Sequence, residues 1–178
     1  ERKSGQFSYA GVTVIVEDLP GLYSLTPSSE EEAIVRDILG AGDYDLILNV
    51  LDSSNLERNL FLTLQLSEMG LPMAVVLNMT DELEKNGEQV DVKKFEEILN
   101  IPAFRSIAHN RISTSALKDF ILRASARDIK PAFIWQNFKD YPLYREISEL
   151  SHLIKSNLPD DSASWSRWFA IMAIEGDR

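Results

Sequence analysis

Two short, nearly continuous apolar runs separated by one helical segment constrain the fold of this chain most strongly. Residues 45–52 (DLILNVLD) and 73–77 (MAVVL) lack the alternation of a half-exposed strand, which indicates strands covered on both faces of a parallel sheet. Between them, residues 53–55 (SSN) are predicted to cap a helix from about residue 56 to residue 69. A strand, a helix and a strand at this spacing predict a βαβ unit and an α/β, doubly wound architecture.

The composition excludes several classes of protein. With 178 residues, of which 44% are hydrophobic, the chain is long enough to bury one core and a small second unit. The absence of cysteine excludes a disulfide framework and a thiolate metal site. A net charge of −10 argues against a nucleic-acid partner, since phosphate contacts need clustered Lys and Arg. No apolar run approaches the roughly 18 to 20 residues that cross a bilayer, so we expect these residues to be soluble as they stand.

The start of the chain predicts an antiparallel hairpin that ends in a carboxylate. Residues 6–9 (QFSY) and 12–16 (VTVIV) flank a two-residue turn, and the second run is predicted to be a buried strand. Asp18 follows that strand, where open α/β sheets bind ligands, and Gly21 closes the next turn. Asp18 can hold Mg²⁺ through a water, and the Gly21 amide can donate to a terminal phosphate. This is the Asp-x-x-Gly arrangement of GTPases, although an ordinary turn has the same sequence.

A second polar turn follows the second apolar run and contains Asn78, Met79, Thr80 and Asp81. Asp81 offers an acceptor for the N1 and N2 hydrogens of guanine, and Asn78 offers an amide that can buttress the loop. Adenine would leave such a carboxylate unpaired, so guanine selectivity would follow. The alternative is that Asn78 and Thr80 only cap a short helix over residues 81–86.

The remaining elements are predicted from caps and apolar spacing. A last strand over residues 102–106 would bring the backbone amides of Ser106, Ile107 and Ala108 to the same edge of the sheet. Gly40 is predicted to end the first helix, and Ser164 is predicted to cap the last one. The predicted helices span residues 30–39, 115–124, 143–158 and 165–175, and Asp91 is predicted to cap a further helix that runs through residue 99.

In this order, DLPGLYSL and DLILNVLDSSNLERNLFLTLQLSEMGLPMAVVLNMTDELEKNG closely resemble the cytosolic guanine-nucleotide-binding domain of the ferrous iron transport protein B (FeoB) family. YPLYREI and RWFAIMAIEGD resemble the start of that family's helical regulatory domain. The resemblance implies a Ras-like P-loop GTPase fold. It divides the chain into a GTPase domain (1–127), a connector (128–142) and part of the helical domain (143–178).

The resemblance also implies the roles of individual residues. Asp18, Leu19, Pro20 and Gly21 would form the Mg²⁺ and γ-phosphate loop, with Asp18 reaching the metal through a water. The segment from Asn78 to Asp81 would be the guanine-specificity motif, with Met79 and Thr80 inside it. Ser106, Ile107 and Ala108 would be its weaker partner.

The implied function is that of the family. The cofactors would be GTP or GDP and Mg²⁺, and GTP hydrolysis would be coupled to Fe²⁺ uptake at the cytoplasmic face of a bacterial inner membrane. The implied partners are the membrane-embedded permease part of the same protein, small accessory iron-transport proteins and further copies of the protein.

The sequence departs from the family pattern in its phosphate-binding elements. The loop GxxxxGK[ST] and the first-switch Thr are absent, so residues 1–178 alone are predicted to be inactive. The strand before that loop would lie between residues 12–16 and 45–51. Without that strand, each of these two neighbours has backbone amides that lack a partner on one side. Every buried amide left unpaired costs about 1 to 3 kcal/mol of stability. We therefore expect residues outside this sequence, or another chain, to fill the gap. Leu22 stands where Ras-like enzymes orient water with a Gln, so no catalytic residue is assigned.

Two alternatives remain. The chain could belong to another kind of P-loop GTPase, such as a ribosome-assembly factor, although those commonly carry basic RNA-binding modules. It could also be a non-catalytic interaction module that has lost its phosphate site. The absent phosphate loop favours the second alternative, whereas the Asn78 and Asp81 pair disfavours it.

Overall fold

The computed structural model describes residues 3–25, 29–106, 111–126, 140–158 and 165–175. The strands of these residues are β1 (Lys3–Tyr9), β2 (Val12–Asp18), β3 (Ile47–Asp52), β4 (Met73–Asn78) and β5 (Ala103–Arg105). The helices are α1 (Glu30–Ala41), α2 (Leu56–Glu68), α3 (Thr80–Lys85), α4 (Val92–Leu99), α5 (Arg111–Ser125), α6 (Pro142–Lys155) and α7 (Ser166–Glu175). A 3₁₀ turn, Ser53–Asn55, precedes α2.

The chain divides into two compact units, Glu1–Tyr44 and Asp45–Arg178. In the first unit, β1 and β2 pair antiparallel from Lys3 opposite Asp18 to Tyr9 opposite Val12. Ala10 (φ 50°) and Gly11 (φ 79°) form the turn in the left-handed region, as a two-residue hairpin requires. The predicted hairpin is therefore confirmed.

The predicted burial of β2 is wrong. Val12, Val16 and above all Ile15, which is 69% exposed, present large apolar side chains to solvent. Within the described residues β2 is hydrogen-bonded to a strand on one side only, which is β1. The β-branched run specified a strand but not what covers it.

Helix α1 begins as predicted and ends later. The Ser29 hydroxyl accepts from the Glu32 amide at 3.2 Å, and the Glu32 carboxylate accepts from the Ser29 amide at 2.9 Å, which is a capping box. The helix ends at Gly42, whose φ of 71° lies in the left-handed region, and Gly40 lies inside the last turn. The prediction that Gly40 ends the helix is wrong by two residues.

The second unit contains a parallel sheet in the order β3-β4-β5. Its central strand, β4, is buried from Met73 to Leu77, and the predicted βαβ unit is confirmed. The Asn49 amide of β3 donates to the Thr63 hydroxyl of α2 at 2.9 Å inside this core. The prediction that β3 is covered on both faces is wrong, because Val50 on one of those faces is 55% exposed. In the sheet formed by the described residues, β3 is also an outer strand.

The start of α2 is capped differently from the prediction. The Asp52 carboxylate, rather than Ser53–Asn55 itself, accepts the hydrogen bonds, from the Ser54 amide at 2.9 Å and from the Asn55 side chain at 2.9 Å. The Ser54 hydroxyl also donates to the Asp52 carboxylate, at 2.6 Å. This hydrogen bond, followed by the one from the Asn55 side chain, holds the pKa of Asp52 below its usual value.

Helices α6 and α7 pack on each other, and α7 reaches α2 through an ion pair. The Arg167 Nε of α7 lies 2.7 Å from the Glu68 Oε2 of α2, and both side chains are largely buried. The Arg167 guanidinium also stacks 5.2 Å from the ring centroid of Tyr144 on α6. None of the described helices combines the length and the apolar character that crossing a bilayer requires. The cap prediction for Ser164 and most of the predicted connector lie outside the described residues.

Candidate functional site

The carboxyl edge of the parallel sheet carries the predicted base-reading residues. Asn78 is the last residue of β4, opposite Asp52 at the end of β3. Met79 follows with φ 58° and ψ 29°, a left-handed conformation that a non-glycine residue adopts at a cost of about 1 to 3 kcal/mol. This conformation turns the chain directly from the strand into α3. The Glu82 amide donates to the Met79 carbonyl at 3.1 Å and closes the turn.

Thr80 and Asp81 open α3 with different exposures. Thr80 is 3% exposed and faces the protein interior. The Asp81 side chain is 43% exposed, and its Oδ2 lies 3.9 Å from the Lys85 Nζ one turn later. At this distance and exposure the pair with Lys85 is weak, so the Asp81 carboxylate keeps acceptor capacity for a ligand.

Strand β5 brings Ser106 beside the end of β4. Arg105 lies opposite Leu77 in the parallel register, and the Ser106 amide donates to the Leu77 carbonyl at 2.8 Å. Ser106 therefore lies next to the residue that precedes Asn78, as the sequence predicts. Ile107 and Ala108, which complete this candidate segment, lie outside the described residues.

Arg105 is a residue at this edge that the sequence analysis missed. Its Nε donates to the Thr80 Oγ1 at 3.0 Å, and its Nη2 makes a hydrogen-bonded ion pair with the Glu84 Oε1. The partners lie 25 and 21 positions away in the sequence, and no local pattern joins residues at that separation.

The Asp18 loop belongs to the first unit, whereas Asn78, Asp81 and Ser106 belong to the second. Asp18 is the last residue of β2 and is exposed, as is Gly21. A Cβ built on Gly21 would meet nothing within 4 Å, so there is open space where a side chain would stand. Leu19 and Pro20 between them are half-buried.

Asp18 offers one carboxylate to Mg²⁺ and no complete set of protein ligands. Among the described residues there is no cluster of three or more His, Cys, Asp or Glu side chains that could hold a metal. An exposed single carboxylate such as Asp18 suits Mg²⁺, which keeps several waters and binds through one or two carboxylates together with nucleotide phosphates.

An open groove of about 660 Å³ lies beside the predicted site rather than in it. It runs between the start of α2 and the end of α3, and the residues that line it include Ser53, Leu83 and Glu88. None of the predicted base- or phosphate-binding residues lines this groove. The candidate residues thus lie at the turns that follow β4 and β5, outside this groove.

The sequence over residues 1–121 matches the protein family described as ferrous iron transport protein B. A relative from Salmonella typhimurium, named Fe(2+) transporter FeoB, is 38% identical over 181 residues, which cover 99% of this chain and 22% of that protein. The relative from Escherichia coli strain K12 has the same name and is 36% identical over the same coverage. The chain thus spans about a fifth of the length of these curated relatives.

Solved structures of this family share the fold. The cytosolic domain of the T. maritima FeoB iron transporter in its GMPPNP form superposes with a TM-score of 0.85 at 30% identity, covering 99% of this chain and 68% of that one. The FeoB G-domain from Methanococcus jannaschii superposes with a TM-score of 0.68 at 41% identity, covering 71% of this chain and 79% of that one. In sequence and in structure, the chain belongs to the ferrous iron transport protein B (FeoB) family and has its α/β, Ras-like GTPase fold.

Proposed function

We propose that the chain is part of the GTP-binding and GTP-hydrolysing module of a bacterial ferrous iron transporter, in which the nucleotide state controls Fe²⁺ uptake. The observation that carries the proposal is the turn after β4. A left-handed Met79 presents Asp81 at the edge of the sheet, beside the end of β5. Packing alone does not explain the strained backbone at Met79, whereas a turn that fixes the direction of a carboxylate suits guanine recognition.

The base is read by Asp81 and Asn78 in this proposal. The Asp81 carboxylate accepts from guanine N1 and from the 2-amino group, and the Asn78 amide buttresses the loop. Backbone amides of Ser106, Ile107 and Ala108 supply the weaker contacts. Adenine offers neither hydrogen, so binding ATP would leave Asp81 with unmet acceptors.

The phosphates are handled by the Asp18 loop together with groups from outside residues 1–178. Asp18 accepts hydrogen bonds from a metal-bound water, and the Gly21 amide donates to the terminal phosphate. Mg²⁺, when bound, neutralises charge on the phosphates. The GxxxxGK[ST] loop is absent from the sequence, so other residues of the natural protein, or another chain, would supply it, and residues 1–178 alone would be inactive. Leu22 cannot orient the attacking water, so another group must do so.

The rest of the proposal concerns the whole protein. Residues 1–127 would be the GTPase domain, residues 128–142 the connector, and residues 143–178 the beginning of a helical regulatory domain. Switch loops ordered by the terminal phosphate would pass the nucleotide state to the helices and the membrane-embedded permease at the cytoplasmic face of the inner membrane. Small accessory iron-transport proteins and further copies of the protein would be its other partners.

A ribosome-assembly GTPase is set aside, because the chain belongs to another family. The interaction module with a lost phosphate site remains the competing function. It predicts no nucleotide binding by the natural protein.

The test is calorimetric titration of the full-length protein with GDP, GTP and ATP in Mg²⁺. We expect binding of GDP and GTP with rejection of ATP. Asp81→Asn should weaken GTP binding by about tenfold or more, because a donor then faces the guanine hydrogens. The same variant should bind xanthosine triphosphate better, since xanthine has an oxygen at position 2.

The matched control is Glu82→Gln, which removes the adjacent exposed carboxylate. It should leave the nucleotide preference unchanged. Unchanged selectivity in Asp81→Asn would sink the assignment of Asp81, and no guanine-nucleotide binding by the wild type would favour the interaction module.

A further inference from the structure

Arg105 lies at the junction of the two segments that would touch the base. It is the last residue of β5 and directly precedes Ser106. Its backbone lies opposite Leu77, the residue before Asn78. Its side chain reaches from β5 to the start of α3. The backbone of Arg105 thus belongs to one base-contacting segment and its side chain contacts the other.

The side chain of Arg105 holds α3 at two points. The Nε donates to the Thr80 Oγ1 at 3.0 Å, and the Nη2 pairs with the Glu84 Oε1 one turn further along. Only a planar guanidinium can reach both acceptors in this way, because its donors leave a rigid fork in different directions. A lysine in this position could satisfy one of them at a time.

The two contacts differ in strength. Both side chains of the Arg105 and Glu84 pair are about two-fifths exposed, and exposed ion pairs contribute little. Thr80 is 3% exposed, so its hydroxyl would need another partner if the arginine were removed. The Thr80 contact is therefore the one that fixes the geometry.

Thr80 lies between the left-handed Met79 and Asp81. Fixing its side chain limits how far the turn can rotate, and this rotation sets the direction of the Asp81 carboxylate. Because the same arginine is joined to Ser106 by one peptide bond, the two segments are kept in register with each other.

From these contacts we infer that Arg105 is a positioning residue for guanine recognition, which acts through Thr80 on Asp81 without touching the nucleotide. This inference rests on the proposed function. It adds that selectivity for the guanine 2-amino group depends on the hydrogen bond between Arg105 of β5 and Thr80 of α3.

The test measures GDP and inosine diphosphate (IDP) binding by the full-length protein. IDP lacks the 2-amino group, so the ratio of GDP affinity to IDP affinity reports how well Asp81 is placed. The Arg105→Lys variant keeps the positive charge but lacks the planar guanidinium that reaches both acceptors. It should speed GDP dissociation about tenfold, as expected for the loss of one charge-assisted hydrogen bond, and should lower the GDP/IDP ratio. A residue that serves only folding would lower the melting temperature and leave this ratio unchanged.

A double-mutant cycle tests whether Arg105 influences the GDP/IDP ratio through Thr80. Thr80→Val removes the acceptor, so it should lower the ratio as Arg105→Lys does, and the double variant should be no worse than either single variant. Glu84→Gln should change GDP dissociation by about twofold or less. Arg123→Lys, on an exposed arginine of α5, is the neutral control.

The possible results separate this inference from the proposed function. A wild-type protein that does not prefer guanine would overturn the proposed function, and this inference would fall with it. A wild type that prefers GDP to IDP, combined with an unchanged ratio in both Arg105→Lys and Thr80→Val, would overturn this inference alone. Additive effects in the double variant would also contradict it.

Discussion

Met79 illustrates at the scale of one residue what the sequence could not reveal. Its φ of 58° is unusual for a side chain with a Cβ, and no feature of the local sequence predicts it. The conformation persists because the next residue, Thr80, is buried and bonded to Arg105. A strained turn held by contacts from a distant strand is typical of functional sites.

The types of the candidate site residues could be predicted, but the contacts that hold them could not. Asn78 and Asp81 were chosen as candidates because they lie in the turn after one predicted strand, and Ser106 because it ends another, since the ends of parallel strands meet at one edge. Arg105 was missed because its partner Thr80 lies 25 positions away in the sequence. The cap at Asp52 was missed although its partner Ser54 is only two positions away, because residues 53–55 were themselves taken as the cap.

We predict that Asp18→Ala weakens the Mg²⁺-dependent retention of GTP more than the binding of GDP. The reason is that, in the proposed function, Asp18 would hold Mg²⁺ beside the terminal phosphate, which GDP lacks. The measurement is the dissociation rate of each nucleotide from the full-length protein, with and without Mg²⁺. Asp43→Ala, an exposed carboxylate of the same unit, is the control. Equal losses for GTP and GDP would point to a folding defect instead.

At the scale of elements, the sequence predicted the type and order of the helices and strands better than their surroundings. Apolar runs and caps located the βαβ unit and the start of α1, and the two-residue turn located the hairpin. The same patterns wrongly placed β2 and β3 in covered positions, because a β-branched run is compatible with an edge as well as with a centre. Which strand covers another depends on pairing across the fold.

The contact between α2 and α7 contains a carboxylate with an unusual acidity. Burial raises the pKa of Glu68 to about 7, and the charge and hydrogen bond of Arg167 only partly oppose that rise. The Glu68 Oε1 is buried and has no hydrogen-bond partner among the described residues. The protonated form is thus favoured in the folded protein relative to the unfolded chain.

We predict that Glu68→Gln alters the pH dependence of stability. Because the folded pKa lies above the unfolded value, Glu68 contributes stability that is fully present below about pH 4.5 and is lost as the pH rises through about 7. A pKa shift of this size corresponds to a change of about 3 kcal/mol in the free energy of unfolding. Between pH 5 and pH 8 the wild type should lose stability relative to Glu68→Gln, which does not titrate.

The measurement is urea unfolding of both proteins at several pH values in that window. Glu149→Gln, which changes an exposed carboxylate on α6, serves as the control and should follow the wild type. Parallel profiles for wild type and Glu68→Gln would show that Glu68 titrates normally in the folded state.

At the scale of the whole molecule, protection from solvent is distributed unevenly. Strand β4 is buried along its length and paired on both sides. Strand β2 is mostly exposed and is bonded within the described chain only to β1. Local opening should therefore be far easier in the hairpin than in the parallel sheet.

We predict that hydrogen exchange in residues 1–178 separates these two sheets. The amides of β4 should exchange slowest. The amides of β1 and β2 should be among the fastest of all amides in helices and strands, because few buried contacts oppose the opening of the hairpin. Mass spectrometry of peptides after timed exchange measures both in one experiment. Comparable protection of β2 and β4 would mean that the exposed face of the hairpin is covered in solution.

The ion pair between Glu68 and Arg167 has a consequence for folding during synthesis on the ribosome. The two residues are 99 positions apart, so at typical elongation rates of about 5 to 20 residues per second the guanidinium leaves the ribosome roughly 5 to 20 s after the carboxylate. Until α7 arrives, the Glu68 carboxyl lacks the charge and the hydrogen bond of Arg167, which in the complete fold partly oppose the effect of burial on its pKa. The surroundings of Glu68 are therefore completed only late in synthesis, when α7 packs on α2.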